Sequence, residues 1–280
     1  MNVIEKVKNN ERLSFDEAVA LYDLDLFVLG ELADERRKAL HGKRTYFNIN
    51  RHINPTNICK DTAAEVHFLS KEYGKSYDEI IDLMIEYGVD SMPGGGAEIF
   101  DEKVRDYICK GKVTSAQWLE IHRKWHERGM RSNATMLFGH VEERSHRIDH
   151  MMRIRDLQDS TGGFNCFIPL VYQTENNYLN VKEFITAHEI LKTYAISRIV
   201  LDNVPNLKAY WVTSTVNLAL VAQEFGANDL DGTIERESIN SAAGAKSANG
   251  INLSEFVALI KNSGFEPIER DSLYNTIKAW

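Results

Sequence analysis

The sequence predicts an α/β fold: a TIM-type (β/α) barrel that is incomplete, with an N-terminal helical extension and a C-terminal helical tail. Three observations carry this expectation. Strand-like runs alternate with helical stretches along most of the chain, which implies a parallel sheet with helical crossovers. With 280 residues and 43% apolar content, the chain can bury one core of barrel size, about 250 residues being usual. The alternation supplies about six strand–helix units, whereas closure takes eight.

Residues 1–44 read as the helical extension. Ser14-Phe-Asp-Glu17 is a capping box, in which Ser14 and Glu17 satisfy each other's terminal amides, and Ala18, Leu21 and Tyr22 follow at helical spacing. A second helix from about Asp25 to Leu40 ends near Gly42, a residue suited to the left-handed position past a helix C-terminus. Residues 45–235 are the expected partial barrel. A short strand at Tyr46–Ile49 is followed by a first barrel strand at Ile53–Ile58. Helical stretches then carry apolar residues at i, i+3, i+4 and i+7, as in Ile80, Leu83, Met84 and Tyr87, and in Trp118, Ile121, His122 and Trp125. Further strands are expected at Val89–Met92, Ala134–Phe138, Asn165–Val171, Lys208–Val212 and Asp229–Thr233. Helices near 101–109, 114–128, 141–160, 180–200 and 214–225 separate them. Residues 236–280 form a tail whose helix bears the apolar stripe Leu253, Phe256, Val257 and Ile260, expected to pack on the barrel or on the N-terminal helices.

Composition narrows the function. No stretch approaches the roughly eighteen consecutive apolar residues of a membrane span, and Met1-Asn-Val-Ile-Glu-Lys6 lacks the charged-then-apolar pattern of a signal peptide. A cytoplasmic location without a membrane partner is expected. Cys59, Cys109 and Cys166 are odd in number and widely spaced, which argues for reduced thiols rather than a disulfide framework. A net charge of -8 offers no basic footprint for a polyanion, so nucleic acid is excluded as an expected partner. A small-molecule substrate remains.

Several clusters could carry chemistry. Cys59 closes the first expected barrel strand, on the face where barrel enzymes build their sites, although a free cysteine is more often a small hydrophobe. Pro93-Gly-Gly-Gly-Ala-Glu98 follows a strand, and Gly94, Gly95 and Gly96 let backbone approach a ligand closely; tight barrel loops also use glycine for geometry alone. Glu98 is either an acceptor for ribose hydroxyls or an ammonium group, or an exposed acid at a helix N-terminus. His140, with Glu142 and Arg144 nearby, could bind a carboxylate, and loop polarity alone would also explain all three. Asn228, Asp229 and Asp231 cluster at the last strand, where polar groups must be hydrogen-bonded or bind something; Gln173 and Glu175 are weaker candidates for the same mouth. His122/His126 and His146/His150 have metal-pair spacing on helices, but no glutamate follows the first histidine of either pair, which favours packing. No residue is assigned a catalytic role.

Four blocks, His52-Ile-Asn-Pro-Thr-Asn-Ile-Cys59-Lys-Asp-Thr62, Met92-Pro-Gly-Gly-Gly-Ala-Glu98, Gly162-Gly-Phe-Asn165 and Gly226-Ala-Asn-Asp-Leu-Asp-Gly-Thr233, stand in the order seen in radical S-adenosylmethionine enzymes of the menaquinone and deazaflavin group. With Glu235 and Ala242-Ala-Gly-Ala245 they most closely resemble aminofutalosine synthase, over nearly the whole chain. The resemblance implies a [4Fe-4S] cluster and S-adenosylmethionine as cofactors, Cys59 as the first cluster ligand, and Gly94, Gly95, Gly96 and Glu98 at the cofactor. It also implies addition of an adenosyl radical to the enol ether of 3-[(1-carboxyvinyl)oxy]benzoate; the candidate substrate contacts, His140, Arg144, Asn228, Asp229 and Asp231, come from their own position and polarity rather than from the resemblance. The chain departs from the family where three cysteines spaced C-x3-C-x2-C are expected. Cys59 stands alone, and Thr62 joins directly to Ala63, as if about two strand–helix units of roughly thirty residues each were absent. Three thiolates on one loop hold three irons and leave the fourth open for S-adenosylmethionine, so the activity is expected to be lost. The alternatives are a non-catalytic remnant that binds a nucleoside or aromatic acid, and a radical enzyme like dehypoxanthine futalosine cyclase.

Overall fold

Local capping signals start the helices that carry the rest. A computed structural model describes residues 2–49, 62–175, 179–182, 184–233 and 251–280. Asn2 caps α1 (Val3–Lys8), and the Ser14–Glu17 capping box opens α2 (Phe15–Ala20) as expected. Asp25 accepts from the amides of Phe27 and Val28 to open α3 (Leu26–His41), which ends at Gly42 with φ 60°. Arg37 of α3 is fully buried and donates to the carbonyls of Ala227 (2.9 Å), Gly42 (2.6 Å) and Arg44 (2.9 Å), tying the extension to the start of β1 (Arg44–Ile49).

From Thr62 onward come α4 (Ala63–Tyr73), α5 (Tyr77–Glu86), β2 (Ser91–Met92), α6 (Glu102–Ile108), α7 (Ser115–Glu127), β3 (Arg131–Phe138), α8 (Arg144–Thr161), β4 (Phe164–Val171), α9 (Ala187–Val200) and β5 (Asn206–Leu207). The short helices α10 (Trp211–Ser214) and α11 (Val216–Val221) lead to β6 (Asp229–Thr233). After residue 250 follow α12 (Leu253–Asn262), β7 (Glu266–Arg270) and β8 (Thr276–Ala279). Strands pair in the orders β2-β3-β4-β5 and β6-β1-β7-β8, and a bridge between Lys208 and Asp229 joins the two sets. All pairs are parallel except β7 with β8.

The result is an incomplete barrel, as expected. Among the described residues, β2 pairs only with β3, so the sheet is open on that side. On β3, Ser132, Ala134, Met136 and Phe138 are buried against the helices, while Asn133, Thr135 and Leu137 are half-buried. Ile168 and Leu170 on β4, opposite Thr135 and Leu137, are half-buried too. In a closed barrel such inward positions fill the core; here they keep partial exposure.

Three expectations need correction or completion. The run Lys208–Val212 is not a strand: β5 ends at Leu207, and Trp211–Ser214 is a helical turn whose Trp211 indole donates to the Gly232 carbonyl at 3.0 Å. A short apolar run buried on every side has no period to separate helix from strand. The strand expected at Ile53–Ile58 lies outside the described residues, and Tyr46–Ile49 belongs to the sheet strand β1 itself. Finally, the tail contains the expected helix, with Phe256 and Ile260 fully buried, but it also adds the strands β7 and β8. Pro267 and the charges at 266, 269 and 270 hide β7 from a pattern search, because proline lacks a ladder donor.

The Phe256 ring meets Phe47 of β1 edge-on at 5.7 Å between centroids. Truncating a fully buried phenylalanine removes both transfer and packing energy. Phe256→Ala is therefore expected to lower unfolding stability by about 3–5 kcal/mol, read from the midpoint of urea denaturation at unchanged slope.

Candidate functional site

The glycine loop after β2 lies on the backbone of β3. A Cβ at Gly94 would stand 2.7 Å from the Thr135 amide nitrogen and 2.8 Å from the Asn133 carbonyl oxygen, and one at Gly95 would meet the Thr62 methyl at 2.7 Å. Gly96 has φ +85°, a conformation L side chains rarely adopt. The loop carbonyls are taken by protein donors. The Thr135 hydroxyl donates to Gly94 (2.6 Å), the Trp118 indole to Gly95 (3.1 Å), Arg105 to Gly96 (3.1 Å) and to Ala97, and the Leu137 amide to Glu98 (2.8 Å). Glu98 itself has φ 45° and forms an ion pair with Lys112 at 2.8 Å. Close packing accounts for Gly94 and Gly95, and the positive φ for Gly96.

His140 and Arg144 lie at the C-terminal end of β3, in a network centred on Glu142. Its buried carboxylate accepts from the amides of Gly139 (2.7 Å) and His140 (2.8 Å) and from Arg147 (2.8 Å). His140 accepts from the Val141 amide at Nδ1 (2.7 Å), which leaves Nε2–H facing the Leu137 carbonyl at 3.1 Å. Burial lowers its pKa, against the opposing pull of the Glu142 carboxylate 3.0 Å from Nδ1. Arg144 makes a two-pronged pair with Glu189 of α9 (3.0 and 2.8 Å). Both expected substrate contacts are thus engaged within the protein.

The polar residues of β6 split in two. Asn228 is fully buried and satisfied: Oδ1 accepts from Arg198 (2.7 Å) and the Leu207 amide (2.8 Å), while Nδ2 donates to Asn206 (2.9 Å). Asp229 pairs with Arg270 at 2.5 Å and also accepts from the Asp231 amide at 2.6 Å. Asp231, at φ 70°, pairs with Lys208 at 2.5 Å. Burial works against the charge on Lys208, but the carboxylates of Asp231 and Asp229 outweigh it and raise its pKa. Gln173 donates to the carbonyls of Val171 and Thr213, each at 2.9 Å. Arg270, Lys208 and Arg198 escaped sequence reasoning as site residues, since each meets its partner only through the fold.

His122, His126 and His150 are packing residues, whereas half-buried His146 accepts from the Glu143 amide at 3.0 Å. His122 Nδ1 and His126 Nε2 share the Ser132 hydroxyl at 2.9 and 2.7 Å, and a Cβ at Gly163 would come within 2.0 Å of the His126 ring. His150 Nε2 faces the Thr135 carbonyl at 2.9 Å and the ring stacks on Phe100. Burial lowers the His150 pKa to about 3.

No set of three or more His, Cys, Asp or Glu among the described residues could hold a metal ion. Cys59 lies outside the described residues. Cys109 caps the end of α6, half-buried. Cys166 is buried within β4, donates to the Phe167 carbonyl at 3.4 Å, and burial pushes its thiol up to about 11. A ligand must be the thiolate, and these two thiols sit on separate elements where that form is disfavoured. The residues of this chain do not fit a cubane held by three cysteines.

Residues 3–154 match the Radical SAM superfamily, and residues 161–279 match the CofH/MqnC C-terminal region. The chain belongs to the radical SAM superfamily. The cofactors of that superfamily are a [4Fe-4S] cluster and S-adenosylmethionine. The aminodeoxyfutalosine synthase of Thermus thermophilus is 36% identical over 356 aligned positions, covering 99% of this chain and 96% of the relative. That of Streptomyces coelicolor is 33% identical, covering 99% and 93%. A 5-amino-6-(D-ribitylamino)uracil--L-tyrosine 4-hydroxyphenyl transferase of Methanococcoides burtonii is 30% identical, covering 94% and 95%. An alignment of 356 positions against a chain of 280 leaves at least 76 positions of the Thermus relative without a counterpart, a length of about two strand–helix units at roughly thirty residues each. In fold, the chain is similar to the FeFe-hydrogenase maturase HydG of Carboxydothermus hydrogenoformans (TM-score 0.72, 14% identity, 97% of this chain and 80% of that one). It is also similar to methylornithine synthase (TM-score 0.71, 13% identity, 95% and 97%).

Two outcomes test the packing roles. Gly94→Ala forces a methyl into β3 backbone and is expected to lower stability by about 1–3 kcal/mol, measured by denaturation. For His150, the unfolded chain binds a proton below about pH 6.5 that the folded chain refuses down to about pH 3, so stability falls as pH drops through that window. His150→Gln is expected to remove up to one proton from the slope of unfolding free energy against pH between 4 and 6.

Proposed function

We propose that this chain is a member of the aminodeoxyfutalosine synthase lineage of menaquinone biosynthesis that has lost radical catalysis with its cluster site. Identity of 36% and 33% to two such synthases, each over 99% of this chain, supports the lineage. The ligand count supports the loss: Cys59 is the one cysteine left of the motif, and Cys109 and Cys166 occupy packing positions. The partial exposure of Thr135, Leu137, Ile168 and Leu170 on neighbouring strands favours a second reading, in which the protein still binds a nucleoside or aromatic acid without converting it.

Under anaerobic reconstitution with iron and sulfide, the chain is expected to bind well below four irons and to release no 5'-deoxyadenosine from S-adenosylmethionine with dithionite. Product above a Cys59→Ala control would overturn the loss of catalysis. Calorimetric titration with S-adenosylmethionine and with 3-hydroxybenzoate separates the two readings, since a remnant that binds gives a saturable heat without turnover.

A further inference from the structure

In a parallel barrel the first strand lies between the last strand and the second. β1 has β6 on one edge, with Tyr46 opposite Asp229 and Asn48 opposite Gly232. On the other edge, where the strand next in sequence would stand, is β7 from the far end of the chain. Its ladder runs from Arg44 opposite Glu266 to Phe47 opposite Glu269, and the Glu266 amide donates to the Lys43 carbonyl at 2.9 Å. β8 covers the outer side of β7, and the Trp280 amide donates to the Pro267 carbonyl at 3.1 Å. Past the end of this ladder, Ile49 is 47% exposed.

A buried ion pair spans all three strands. Arg270, on β7, reaches past β1 to Asp229 on β6 at 2.5 Å, with side chains only 5% and 0% exposed. Its guanidinium carbon lies 4.1 Å from the centre of the Tyr274 ring, which meets Tyr46 of β1 edge-on at 5.9 Å. Asp271 shapes the intervening turn by accepting from the amides of Leu273 (2.9 Å) and Asn275 (2.8 Å). An unpaired parallel edge invites association with other chains, and a buried charge is stable only with its partner in place. Both conditions are met by the same hairpin.

We propose that the C-terminal hairpin is a replacement strand: it occupies the edge of β1 left by the absent strand–helix units, and the Arg270–Asp229 pair locks it there. The shortened barrel is thereby held as one unit whatever its catalytic state. Register makes this testable, because Arg44 and Glu266 are exposed opposite partners on adjacent strands, and such neighbours lie within disulfide reach.

The test is Arg44→Cys with Glu266→Cys, oxidised and mapped by peptide analysis so that Cys59, Cys109 and Cys166 are accounted for. A 44–266 cross-link is expected in most molecules of this chain. At the aligned positions of the Thermus synthase, which carries the additional residues, at most a tenth of that yield is expected. Equal yields in the two proteins, or no cross-link in the folded double variant, would overturn the replacement. Separately, Arg270→Met is expected to speed amide hydrogen exchange across 266–279 at least tenfold while the β3–β4 ladder keeps its protection. Unchanged exchange at 266–279 would show that the pair is not the lock.

Discussion

A parallel strand takes its backbone partners from segments distant in sequence, and each of its two edges must find one. β1 is where this constraint bears hardest, because the chain leaves it at Ile49 and, after twelve undescribed residues, re-emerges at Thr62 as the cap of a helix. β6 supplies one edge by the ordinary return of the barrel. The other is met from the C-terminus, and the consequences spread: α12 is drawn against Phe47, Arg270 enters the interior, and Asp229 becomes half of an ion pair. Buried pairs of this kind add little net stability over a well-packed apolar core, yet losing one partner is costly. They fix which strands meet more than how tightly.

The sites read from sequence as ligand contacts share a pattern. Glu98, Arg144, Asn228, Asp229 and Asp231 each carry polarity that needs a partner, and in every case a protein group supplies one. Sequence shows the need, because buried polar groups are hydrogen-bonded. It does not show the source, since Arg270 is forty-one positions from Asp229 and Arg198 thirty from Asn228. The glycine loop behaves alike: Gly94 and Gly95 were legible as close-approach positions, but the approaching groups are β3 and Thr62.

Features decided within one turn of chain were legible. The Ser14–Glu17 box, the Asp25 and Gly42 helix ends and the Phe256–Ile260 stripe follow from side chains a few residues apart. What escaped is non-local. β7 contains Pro267 and three charged residues, so nothing in its own pattern marks a strand; its strand character comes from β1 on one side and β8 on the other. Lys208–Val212 failed for the opposite reason, being apolar enough for either element.

The capping box at Thr62 bears on how such a chain can arise. The Thr62 amide donates to Glu65 at 2.9 Å, and its hydroxyl accepts from the Ala64 amide at 3.2 Å, so the first turn of α4 satisfies its donors from within. With the seam between Thr62 and Ala63, the upstream side supplies the cap and the downstream side supplies Glu65, which completes it. A junction that joins a capping residue to a helix in this way leaves no amide of the first turn stranded and no helix to re-nucleate. Boundaries of this type are natural seams, at which whole strand–helix modules can leave or enter a barrel lineage while the remaining modules keep their shape.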